Sequence, residues 1–211
     1  MKKLKFLPLA AIVTLIVYSL GFNLYEQVMT WHPVTIQFFQ FKSADSLALG
    51  KDRSDKLGDS VEFVARVVAP PRVSPANNDF RTLLRGSSSW TCYVQDTANG
   101  LFGGIVVRQG GRGPQTGLDL VDTGAIIKVR GIVQEFPATG YSNSLTQVDH
   151  DTTSGYTINV LQSSGARPTP KLVNITDFNQ GDYPNGGTIN YVTGEKYEGM
   201  YVELRNVTIG T

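Results

Sequence analysis

Residues 60–71 read SVEFVARVVAPP, and the alternation in this stretch decides the fold. Val61, Phe63, Ala65 and Val67 fall on one side of an extended chain, and Glu62, Val64, Arg66 and Val68 on the other. A period of two with β-branched and aromatic residues marks a half-buried strand. Pro70 and Pro71 end it, because proline has no N–H to give to a ladder.

Three more runs of the same kind follow: WTCYVQ (Trp90–Gln95), GIVVR (Gly104–Arg108) and AIIKVRGIVQE (Ala125–Glu135). Asp96-Thr97-Ala98-Asn99-Gly100 separates the first two, and Asn-Gly supplies the positive φ that a hairpin turn needs. Gly131, in the middle of the fourth run, predicts a bend or bulge of the kind barrel closure requires. Leu145–Val148 and Tyr156–Leu161 supply a fifth strand or its two halves. Long connections lie at 72–89 and 109–124. The sum is a mainly β chain whose residues 57–165 form a five-stranded OB-like Greek-key barrel.

Outward from the barrel the reading is less regular. Residues 33–41 (PVTIQFFQF) read as a short strand and 42–59 as a polar loop, so 22–56 is an N-terminal strand and loop. Residues 1–21 read as a signal peptide, with Lys2, Lys3 and Lys5 before an apolar run from Leu7 to Leu20. A membrane span needs roughly 20 apolar residues, and Asn23 and Glu26 close this run early. Cleavage without a stable membrane span is therefore expected, with the rest of the chain secreted or at the cell surface. Downstream, 166–175 (ARPTPKLVNI) is a proline-punctuated linker, and Thr176 or Asp177 opens a short helical turn. Tyr197–Ile209 repeats the alternation of the first barrel strand. Residues 166–211 are accordingly expected to be a linker and the first strand of a second, truncated OB-like module.

Composition sets limits on function. The chain has 211 residues, 41% hydrophobic and 18% charged, with 22 glycines and 10 prolines. That balance builds a core and many turns, and it excludes disorder and a coiled coil. Without Lys2, Lys3 and Lys5, 16 basic residues remain against 18 acidic ones, a net charge near −2. A protein that holds nucleic acid through phosphates alone is usually strongly basic. The single cysteine, Cys92, forms no intramolecular disulfide and reads as a small buried hydrophobe.

Leu57-Gly58-Asp59-Ser60-Val61 leads into the first strand, Tyr93-Val94-Gln95-Asp96 precedes Gly100, and Val129-Arg130-Gly131-Ile132-Val133-Gln134-Glu135 closes the pattern. This frame resembles the OB-like modules of secreted and cell-surface bacterial proteins. Such modules stand beside extracellular endonuclease and phosphodiesterase domains, or in proteins exported with a C-terminal sorting domain. Ala65 stands where the frame has glycine, and Gly124-Ala125 replaces Gly-Asp. The resemblance implies a non-catalytic binding or architectural module. It leaves two alternatives: the N-terminal accessory region of a secreted nuclease or phosphodiesterase, or a structural or adhesive surface subunit.

Candidate chemistry is sparse. His32 and His150 are the only histidines, and Asp149-His150-Asp151 reads as a solvated turn. A calcium loop there would want Gly at its sixth position and Glu at its twelfth, where Val160 stands. Residues 110–117 (GGRGPQTG) lack the Lys-Ser/Thr of a phosphate loop. No catalytic residue, metal or cofactor is expected. OB barrels take ligands on the face of their second and third strands and between long loops. The residues offered there are Trp90, Tyr93 and Arg108, with Arg72, Arg81 and Arg85 in the preceding connection; alternate residues of a strand face opposite ways, which leaves open whether Trp90 or Tyr93 turns to the core. Aromatic rings stack on bases or sugars, and arginines add charge and flat contacts. The expected partners are single-stranded nucleic acid or a glycan, or other extracellular protein domains. Asp96 is expected to hold the turn that follows it.

Overall fold

The computed structural model describes residues 31–74, 79–82, 89–110, 117–137, 144–150, 158–181, 187–205 and 207. The expected signal peptide and Arg85 lie outside these residues.

Five strands close into a ring: β1 (Ser60–Ala69), β2 (Ser89–Asp96), β3 (Gly104–Gly110), β4 (Ile126–Phe136) and β5 (Leu145–His150). The hydrogen-bonded order is β1-β2-β3-β5-β4, and β4 returns to β1. β3 and β5 run parallel and the other four pairings are antiparallel. β1 serves two neighbours. Ser60–Arg66 pairs with β4, and Ala65–Ala69 pairs with β2 across a bulge between Val67 and Ala69. A bulge adds the local twist that lets one strand turn this corner. The expected OB barrel is the structure.

Alternation sets the core. Val61, Phe63, Ala65 and Val67 of β1 join Trp90, Cys92 and Val94 of β2, and Ile105 and Val107 of β3, in one buried cluster. Each fully buried Val or Ile contributes about 1.5–3 kcal/mol relative to exposure. Burial pushes the Cys92 thiol far above its usual range, as for an inert core residue. Gly131 faces inward on β4, where a Cβ would lie 2.5 Å from Val148 Cγ1. Its role is close approach of β5. Helix α1 (Ile36–Gln40) plugs one end of the ring with Ile36 and Phe39, whose ring lies 5.4 Å from that of Phe63. The 3-10 turn Leu118–Leu120 plugs the other with Leu118.

Several expectations give way here. The 33–41 strand is a His32–Pro33 bridge to β1 followed by α1, and the loop after it contains helix α2 (Ala44–Ala48). Ile36 and Phe39 sit three apart, one helical face, a spacing that the short mixed run concealed. Asp149 and His150 are not in a solvated turn but end β5. His150 is 1% exposed and its Nδ1 donates to the Arg130 carbonyl at 2.9 Å. The second half expected for the fifth strand is β6 (Asn159–Gln162), which pairs with β4 at Ile126–Lys128 outside the ring. The single strand expected over Tyr197–Ile209 is interrupted. Glu195–Tyr197 is a 3-10 turn, and among the described residues of that stretch the strand is β8 (Val202–Leu204), paired in parallel with β7 (Lys171–Val173). A short turn does open at Ile175–Asp177, capped by Asn174.

Candidate ligand-binding face

Because Cys92 and Val94 point inward, Thr91, Tyr93 and Gln95 point outward on β2. On β3, Gly104, Val106 and Arg108 point outward opposite Gln95, Tyr93 and Thr91. Tyr93 and Arg108 are therefore diagonal neighbours, about 7–8 Å apart at Cα. Both are half-buried. Arg108 donates to Asp149 on β5 at 3.3 Å, and about a third of its side chain stays open to water.

The other expected residues distribute unevenly. Trp90 shares the inward side with Cys92 and is 5% exposed, so its ring belongs to the core. The Arg72 guanidinium lies 4.5 Å above that ring and covers it from the β1–β2 connection. Arg81 falls in a short strand, Asp79–Thr82, paired with Arg72–Ser74. Tyr93 and Arg108 thus share the outer face, while Arg72 lies against the inward-facing Trp90.

One end of the face is occupied. The segment Glu198–Tyr201 crosses β5, β3 and β2 in turn. Thr146 N donates to Glu198 Oε1 at 2.8 Å. A Cβ on Gly104 would lie 2.3 Å from Gly199 C, which places that backbone directly on β3. Tyr201 N donates to Gln95 Oε1 at 2.9 Å. Val106, although outward, is only 2% exposed. The Tyr-x-Gln-Asp signature is explained by these contacts. Gln95 seats the C-terminal segment and bonds Asn99, while Asp96 Oδ1 accepts from Gly100 N at 3.3 Å, as expected of a turn-holding aspartate. Sequence reasoning missed Gln95 as a seat because its partner lies 106 residues away.

A buried polar cluster fastens the same segment. Lys42 Nζ donates to Glu195 at 2.7 Å, to Glu198 at 3.3 Å and to Thr146 Oγ1 at 2.9 Å. Thr146 Oγ1 donates onward to Glu135, which also accepts from Ser54 N. One cation faces several carboxylates. Burial, then the hydrogen bond to Glu195, pushes the Glu198 carboxyl up to about 9 despite Lys42. Burial pulls the Lys42 ammonium down, but Glu198 and Glu195 outweigh it and the net direction is up. A carboxyl held above its unfolded value stabilises fully below about pH 4.5, and loses that contribution as pH rises toward 9. Thermal stability is therefore expected to decline between about pH 5.5 and 8.5, and Glu198→Gln, which mimics the protonated acid, to flatten the decline. Melting curves across that range check it; an unchanged slope in the variant refutes the assignment.

A cavity of about 300 Å³ opens beside this cluster, walled by Phe178, Tyr191, Tyr197 and Leu145. Its carboxylates are engaged internally, Asp52 by Ser144 N and Oγ. Among the described residues, no three His, Cys, Asp or Glu side chains gather in a way that could hold a metal ion. None of the described helices is long and apolar enough to cross a membrane.

No protein-family model matches the chain, and no curated protein matches it. Among solved structures it is similar to a chain of a replication protein A heterotrimer bound to ssDNA. That match has 16% identity and a TM-score of 0.30, over 50% of this chain and 58% of the other. It is also similar to a chain described as an aspartyl-tRNA synthetase from Leishmania major Friedlin. Here identity is 13% and the TM-score 0.36, over 80% of this chain and 28% of the other. The chain thus matches 58% and 28% of those two chains' lengths.

Proposed function

We propose that the outer face of β2 and β3 binds single-stranded nucleic acid without chemistry of its own. The observation that carries this reading is the diagonal pair Tyr93 and Arg108, half-open on the side of an OB barrel that such folds use for ligands. A phenol ring offers any base a stacking surface, and a guanidinium pairs with phosphate. With a mature charge near −2, attraction to phosphate is local rather than global, so modest affinity is expected. The lysine-led apolar run of residues 2–20 supports an exported protein, and the likeness to modules of secreted bacterial proteins agrees with it.

Titration of a fluorescent oligothymidine, followed by anisotropy, tests the reading. Affinity should fall as salt rises from about 50 to about 200 mM, with a log–log slope of about −0.7 per phosphate contacted. Tyr93→Leu should weaken binding by about fivefold or more. No binding, or binding insensitive to both salt and Tyr93, overturns the proposal; a flat salt response with a soluble oligosaccharide as the better competitor assigns the face to glycans.

A further inference from the structure

The chain beyond the barrel does more than cover one end of the face, because it brings a second tyrosine and a second arginine close to the strands that carry Tyr93 and Arg108. Tyr201 has its backbone over Gln95, and Tyr93 is two residues along the same strand on the same side, about 7 Å away. Arg167 donates through Nε to the Val68 carbonyl at 3.1 Å, and its guanidinium lies 5.8 Å from the centre of the Tyr201 ring. Val68 precedes Ala69, the partner of Tyr93 across β1 and β2. Arg167 is exposed and Tyr201 half-buried. Arg167 thus stands at β1 beside the Tyr201 ring, with Tyr93 on β2 and Arg108 on β3.

We propose that Tyr201 and Arg167 form the second half of the nucleotide site, which the barrel alone leaves incomplete. The inference rests on the single-strand reading of the face. It assigns the ligand at least two successive nucleotides, one base to each ring and a phosphate to each arginine. Arg167 and Tyr201 become part of the binding site. The Asn99 side chain donates to the Thr169 carbonyl at 3.2 Å, which ties the stretch after Arg167 to the turn following β2, and Lys171 N donates to the Tyr201 carbonyl at 2.9 Å, which ties Tyr201 to that stretch. Tyr201 holds Gln95 through its backbone N–H, so replacing the ring leaves that seat intact.

The test uses the full chain and the oligothymidine probe at fixed and varied salt. Tyr201→Leu is expected to weaken binding about five- to a hundredfold. Arg167→Gln is expected to shallow the salt slope by about 0.7. Tyr93→Leu and Tyr201→Leu together should lose less than the product of the single losses, as neighbours on one ligand do. Tyr197→Leu, an aromatic change on the same segment away from the face, serves as control and should leave binding unchanged. Melting temperatures identify any variant that has lost the seating. If the wild type binds and Tyr93→Leu fails while Tyr201→Leu and Arg167→Gln bind normally, this inference falls and the barrel face stands. If the wild type does not bind, both fall.

Discussion

Replacing Lys42 with methionine is expected to destabilise the protein by about 3 to 5 kcal/mol. The side chain is 2% exposed and touches Glu195, Glu198 and Thr146, with Glu135 one hydrogen bond further on. A buried ion pair contributes little net stability, since desolvation of both charges offsets their attraction. Removing one partner is different, because the remaining charges stay buried without compensation. The carboxyls lie on the C-terminal segment and Lys42 just after α1, so the loss should first appear as undocking of residues 195–201. Limited proteolysis should then cut near that segment at a temperature where the wild type resists. Lys42→Met combined with Glu195→Gln should recover much of the loss, because the excess charge leaves with its partner. A loss below about 1 kcal/mol in the single variant would mean the cluster is hydrated and contributes as a surface pair does.

Lys42 also marks the limit of what the sequence reveals. The barrel was legible because period-two alternation is local: Val61 to Val67, Cys92 to Val94 and Val129 to Val133 each state their inward side within a few residues. The same rule sets Trp90 and Tyr93 on opposite sides of β2 without saying which of them faces the core, because that is set by the register with β1 and β3. Lys42 sits in a polar run that reads as a loop, and its partners are more than 100 residues away. Tyr201 and Arg167 were hidden for the same reason, in stretches that read as a second module and a linker. The glycine at 104 carried a signal that went unused: glycine at a strand start marks close backbone approach, without naming what approaches.

Gly104→Ala is the variant that measures that approach. A Cβ at this position would lie 2.3 Å from Gly199 C, 2.4 Å from Met200 N and 2.6 Å from Gly199 O. All three are backbone atoms, so no side chain can rotate away; either β3 or the C-terminal segment must move. Overpacking of this kind costs about 1–3 kcal/mol in a well-packed site. Here the displaced segment would also put at risk the Tyr201-to-Gln95 and Thr146-to-Glu198 bonds, each worth about 1 kcal/mol net. A total near 3 kcal/mol is expected, together with faster hydrogen exchange at Tyr201 and weaker oligonucleotide binding where Tyr201 belongs to the site. Gly199→Ala approaches the same contact from the other side. Its Cβ would lie 2.8 Å from Ile105 N, and its φ of 67° adds strain for any L side chain. Gly50→Ala separates the two effects, since Gly50 has a φ of 68° and nothing within 4 Å of a new Cβ. It should lose only the backbone strain, about 1 kcal/mol. If Gly104→Ala loses no more than Gly50→Ala, the segment does not rest on β3 in solution. In that case the occupied end of the face is open to ligand as well.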